Sequence, residues 1–207
     1  GRLKCENASE VELCVITRRA GGDTIDWAAG AARTTGTHDW REVSRRFVIP
    51  ADCKTIQARL IGSGNCKAWL DDAYLYKEGS TRELAGKAPA SLKISNEILE
   101  VAFDSAGATF SVTDKRSGRV WSQARMNQEL VVKKAEQKDA KSLKLEIWDL
   151  GHDLTFTVEA ATPPGAPTLW VLLDGNGKLS RPLSFPQPFV TAAGTVLIIP
   201  MNEGIHY

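Results

Sequence analysis

Thr55-Ile56-Gln57-Ala58-Arg59-Leu60-Ile61, running into Gly62-Ser63-Gly64-Asn65, is the stretch on which the fold turns. Ile56, Ala58 and Leu60 alternate with Gln57 and Arg59, a period of two that sends one set to a core face and the other to water. The segment therefore reads as a half-buried strand. The Gly-Ser-Gly-Asn cluster supplies the positive φ angles of a tight reversal, so a hairpin is expected at its end.

Upstream lie Gly36-Thr37-His38-Asp39-Trp40, Val43 and a strand-like Arg46-Phe47-Val48-Ile49. Pro50 cannot donate to a ladder and stops that strand. Downstream, Ala68-Trp69-Leu70-Asp71-Asp72-Ala73-Tyr74-Leu75-Tyr76 reads as a closing strand. The order Thr-x-x-Trp, Phe-x-Ile-Pro, alternating strand, Gly-rich turn and Trp-x-Asp-Asp resembles the second half of a galactose-binding-like jelly-roll carbohydrate-binding module. The resemblance covers residues 1–78 and implies an N-terminally truncated domain, with Trp40 and Trp69 in its core. Modules of this kind often hold a structural calcium near the Asp71-Asp72 pair, which makes these two the metal candidates. An aspartate that bonds loop amides is the plainer reading of the same pair.

Toward the N-terminus, Leu3 to Glu6 and Val11 to Thr17 read as two strands around an Asn7-Ala8-Ser9 turn. Thr24 to Thr35, rich in Ala and Gly, reads as a strand edge and a long loop. The four cysteines, Cys5, Cys14, Cys53 and Cys66, lack Cys-x-x-Cys spacing, which argues against zinc. Disulfides and buried thiols both remain open.

After Tyr76 the composition changes. Residues 79–90 hold Gly79, Ser80, Gly86 and Pro89 with Leu84 as the one sizeable apolar residue, the profile of an exposed linker between two domains. From Ser91 alternation resumes through Leu92/Ile94, Leu99/Val101/Phe103 and Phe110/Val112. Further strands are expected at 120–122, 129–134, 143–148, 154–160, 169–173, 189–191 and 196–199. Short strands spaced by turns, without helices, indicate an all-β protein of two β-sandwiches, the first an incomplete jelly-roll and the second an antiparallel supporting sandwich.

Asn96 to Phe103, Asp114-Lys115-Arg116-Ser117-Gly118-Arg119-Val120-Trp121, Ser184 to Phe189 and Ile199 to Gly204 are similar to the N-terminal β-sandwich of multidomain glycoside hydrolases. In such enzymes a (β/α)8 catalytic barrel follows. The resemblance, over residues 91–207, implies a missing catalytic domain downstream of Tyr207 and a parent protein that is secreted or on the cell surface.

A formal net charge of +1 leaves no electrostatic case for a nucleic-acid partner. No run approaches the ~20 apolar residues of a membrane-spanning helix. Glycoside hydrolysis usually needs two carboxylates ~5 to 9.5 Å apart across the scissile bond, whereas adjacent Asp71 and Asp72 on a strand point to opposite faces. Asp153 beside His152, and Glu203 near His206, come without a visible nucleophile. Asn202 and Glu203 sit where a sandwich would hand over to a barrel and are candidate cleft contacts. No phosphate loop, nucleophile elbow or His-Glu-x-x-His pattern is present.

Binding a sugar needs less: an exposed aromatic face and a few groups to fix hydroxyls. Trp27, with Asp26 and Arg33, is the candidate carbohydrate site; packing on the sandwich rim is its bland alternative. Trp121, Trp148 and Trp170 are expected in the core or between domains. The sequence thus reads as a non-catalytic region of a secreted glycoside hydrolase that binds a poly- or oligosaccharide and supports the enzyme. A non-enzymatic tandem β-sandwich for adhesion or surface attachment is the alternative.

Overall fold

A computed structural model describes residues 1–126, 128–175, 179 and 182–190. The chain is all-β, built of three four-stranded antiparallel sheets. The first sheet comprises β1 (Arg2–Arg18), β2 (Thr24–Glu42), β3 (Thr55–Ser63) and β4 (Lys67–Asp71). β1 lies at its centre, with β2 on one side and both β3 and β4 on the other.

This sheet folds over on itself. Asn7 in β1 (φ +54°), Gly36 in β2 (φ +82°) and Gly64 between β3 and β4 (φ +82°) fall at one level across it, as the Ala8–Gly36 pairing shows. Left-handed residues in neighbouring strands kink the whole sheet there, and β1–β2 slips register repeatedly through Val11. A methyl added at Gly1 would touch the side chains of both Leu13 and Leu70 at 3.3 Å, so the two halves face each other. Leu3, Cys5, Ala8 and Val11 form the small core between them, flanked by Leu13, Val43, Cys66 and Ala68.

Four of the expected elements change. Asn7-Ala8-Ser9 is a bend inside one strand, not a turn between two. The Gly62 to Asn65 cluster likewise kinks a chain that continues antiparallel to β1, so no hairpin forms there. Thr24 to Thr35 belongs to the long strand β2 because it pairs with β1 over its length. Arg46 to Ile49 forms no ladder; Phe47 instead lies against Gly30.

The second and third sheets are β5 (Ser91–Ser95), β6 (Leu99–Asp104), β7 (Thr109–Asp114) and β8 (Val120–Ser122), and β9 (Leu130–Gln137), β10 (Ser142–Asp149), β11 (Leu154–Ala161) and β12 (Trp170–Asp174). Each is a meander in chain order. Their inner faces share one core of Val101, Phe103, Phe110, Leu145, Ile147 and Val158 with neighbours, closed by Phe185 edge-on to Phe156. Phe189 contributes an isolated bridge to Gln123; residues 191 and 196–199 lie outside the described residues.

The segment 79–90 is docked, not free. Ser80 and Glu83 form a reciprocal capping box on a one-turn helix, α1 (Thr81–Leu84). Beyond it, the Gly86 amide donates to the Val132 carbonyl at 3.3 Å, and Ala88 packs on the sandwich core. Lys133 Nζ donates to the Leu84 carbonyl.

Candidate functional site

β2 carries Asp26 and Trp27, and the loop expected there is a strand edge. Asp26 Oδ1 accepts from the Ala28 amide at 2.9 Å, which fixes the local backbone. The Trp27 side chain is 63% exposed. A large apolar ring so open to water is the notable feature, because it lacks the burial that normally holds an indole in place.

The guanidinium near Trp27 is not that of Arg33. Six residues of extended strand separate them, ~20 Å of chain. Arg33 Nε donates to Glu12 Oε2 at 2.9 Å and lies 3.8 Å from Glu10, so it is committed to an ion pair whose Glu12 end is nearly buried. The bond to Glu12 raises the Arg33 pKa further. Arg59 takes the place expected of Arg33, donating to the Trp27 carbonyl at 3.2 Å.

Register explains how β3 reaches this point. Glu12 pairs with Arg33 on β2, and two residues on, Cys14 pairs with Arg59 on β3, so all four share a face. Gln57 follows on that face, accepting from Arg18 Nη1 at 3.0 Å. Burial, then the Glu12 carboxylate, pushes the Cys14 thiol pKa up, with Arg59 opposing and Asp26 adding to the rise. Arg59 thus reaches across β1 to the backbone of the strand that carries the exposed Trp27 indole, Gln57 and Arg18 lie on the Arg59 face, and Asp26 directly precedes Trp27 in sequence. The alternation puts Gln57 and Arg59 on the water-facing side of their strand, and the register of β3 on β1 brings Arg59 within reach of the Trp27 backbone.

The metal candidates, Asp71 and Asp72, lie at the end of β4 and bond within the protein itself. Asp71 Oδ1 accepts from the Asp72 amide at 2.9 Å, and Asp72, at φ +50°, lies 3.9 Å from Arg2. Calcium takes six to eight oxygens, and among the described residues no group of three or more His, Cys, Asp or Glu comes together. The pair closes β4 by the amide-bonding alternative. Asn202 and Glu203 lie outside the described residues.

His152 turns to Asp149 rather than Asp153. Its Nδ1 is 2.8 Å from Asp149 Oδ2 and its amide donates to Oδ1 at 3.0 Å, both side chains being buried. This closes the β10–β11 turn, out of reach of a substrate. All four cysteines are free thiols, with Cys5 and Cys14 buried. Trp40 and Trp69 are partly exposed, against the core positions expected, because they lie on outer surfaces of the folded sheet; Arg2 stacks over Trp40 at 5.8 Å. Trp121 packs on the sandwich core and Trp148 lies between the lobes, whereas Trp170 is 64% exposed at the edge strand β12.

No helix among the described residues is long and apolar enough to cross a membrane. Comparison with protein-family models, curated proteins and solved structures gave no match.

Proposed function

We propose that this chain is a non-catalytic carbohydrate-binding and supporting region of a larger, secreted or cell-surface glycoside hydrolase. One observation carries the reading: the open indole of Trp27 on β2, whose backbone carbonyl Arg59 reaches from β3, with Asp26 beside it in sequence and Gln57 on the Arg59 face. A pyranose offers a C–H face for the indole and hydroxyls for the carboxylate, amide and guanidinium groups. The strands hold these groups on rigid backbone, so little ordering is lost on binding.

Tryptophan fluorescence and calorimetric titration with soluble gluco-, galacto-, manno- and xylo-oligosaccharides test it. Binding to at least one class is expected, and Trp27→Ala should weaken it by about tenfold or more, the value of a lost aromatic stack. Because the ring is exposed, thermal unfolding should stay within ~0.5 kcal/mol of the parent. Equal affinity after Trp27→Ala, or no binding to any class, would sink the proposal.

A further inference from the structure

We infer that β3 is a self-pairing edge, through which two copies of this chain join antiparallel about a two-fold axis at Ala58. Among the described residues β3 has a strand neighbour on one side only, β1. Its register with β1 runs from Thr55 to Ser63 without a shift, so the strand is regular. Of the devices that normally blunt an edge, 55–61 holds no bulge, proline or lysine, and its one charge, Arg59, turns back over β1 to the Trp27 carbonyl. Ile56 and Leu60, the pair expected in a core, are 46% and 38% exposed, and Ala58 between them is exposed too.

The sequence selects the partner. Opposed residues in an antiparallel pair share a face, so a two-fold axis must pass through a residue. With the axis at Ala58, Ile56 meets the partner's Leu60, Thr55 meets the partner's Ile61, and Gln57 meets the partner's Arg59. Every apolar residue of the exposed Ile56, Ala58 and Leu60 face then has an apolar opposite, while Arg59 and Gln57 keep their bonds to the Trp27 carbonyl and to Arg18. Moving the axis to Arg59 leaves Ile56 opposite the partner's Gly62, while moving it to Gln57 sets Leu60 against the partner's Lys54. An apolar side chain without an opposite and an apolar–charged pair are the disfavoured combinations. A second copy is therefore the occupant that this edge fits, independently of any saccharide.

Seven paired residues make a small interface, below the ~1,000 Å² of tight complexes, so association in the micromolar range is expected. Sedimentation velocity on the full chain from about 1 to about 200 µM should show a monomer–dimer equilibrium. Ala58→Glu, which puts two carboxylates face to face, should weaken it about tenfold or more with an unchanged circular dichroism spectrum. Oxidation of Ala58→Cys should give a crosslink between copies at position 58, identified by peptide mapping. Ile56→Cys alone should give none at position 56, but mixed with Leu60→Cys it should crosslink 56 to 60. A monomer at every concentration, a dimer indifferent to Ala58→Glu, or crosslinked copies joined elsewhere would each overturn the inference. Should Ala58→Glu fail to fold, the crosslink pattern decides.

Discussion

Asn96 shows how much a single buried side chain holds in the second sandwich. Its Oδ1 accepts from the amides of Ile98 (2.8 Å) and Leu99 (2.7 Å), and its Nδ2 donates to the carbonyls of Pro163 (2.6 Å) and Ala166 (2.9 Å). One amide thus ties the β5–β6 turn to the segment before β12. Asn96→Ala leaves buried backbone groups unpaired and should destabilise by ~2 to 4 kcal/mol. Asn96→Asp should cost more above the carboxylate pKa, since an oxygen then faces two carbonyls. Urea unfolding of both variants at neutral pH checks the order. Asp114 gives a pH signature instead. The Arg116 side chain, then the Arg116 amide, hold its carboxyl down to about 2 from an ordinary 3.8. With the folded value depressed, the stabilisation is present above pH ~3.8 and is lost as pH falls through about 2. Denaturant midpoints at pH 4 and pH 2 should therefore fall less for Asp114→Asn than for the parent.

Elements depend on two close approaches that leave no room for a side chain. Gly30, at φ +64°, faces the Phe47 ring, and a Cβ there would overlap it. Gly30→Ala should expel Phe47 and strain β2 together, by ~2 kcal/mol or more. Gly86 lies against the Lys133 carbonyl, which is backbone and cannot swing aside. Gly86→Ala should lift the connector off β9 and speed protease cleavage within 77–90, read by limited proteolysis. Neither approach is visible in the sequence, where Gly86 looks like linker composition. The sandwich strands were legible because each inward residue, as in Leu143, Leu145 and Ile147, lands in a core covered from both sides. The same alternation misled at β3, where Ile56 and Leu60 follow the pattern but lie on an edge strand. Period two reports which residues share a face, and the rest of the fold decides whether anything covers it. Of the candidate residues, Trp27 and Asp26 were legible in the sequence. Arg59 was not, because the 32 residues between it and the Trp27 carbonyl that it reaches are closed only by strand register.

At the scale of the molecule, the two lobes keep separate cores and meet through a charged clamp centred on Trp148. Arg46, from the segment that crosses the first sheet, lies 2.8 Å from both Glu78 and Asp153, and its guanidinium stacks over the Trp148 ring at 5.6 Å. Lys133 approaches the same ring at 5.6 Å, and Trp148 Nε1 donates to Asp153. Arg45 lies 3.9 Å from Glu129 beside it, with both side chains largely covered. A planar, forked cation can satisfy two carboxylates while lying flat on an indole, which an ammonium cannot do. Contacts as exposed as those of Arg46 with Glu78 and Asp153 are each worth ~1 kcal/mol or less, too little to stabilise either core but enough to couple two small domains. Arg46→Ala should therefore lower the unfolding temperature of the first lobe, the one with the smaller core, and leave that of the sandwich nearly unchanged. Differential scanning calorimetry should resolve one broadened transition of the parent into two. Arg46→Lys should behave like the alanine variant, because it keeps the charge and loses the fork. If calorimetry shows one cooperative transition for all three proteins, coupling runs through the connector docked on β9, and Gly86→Ala would then be the variant that separates the lobes.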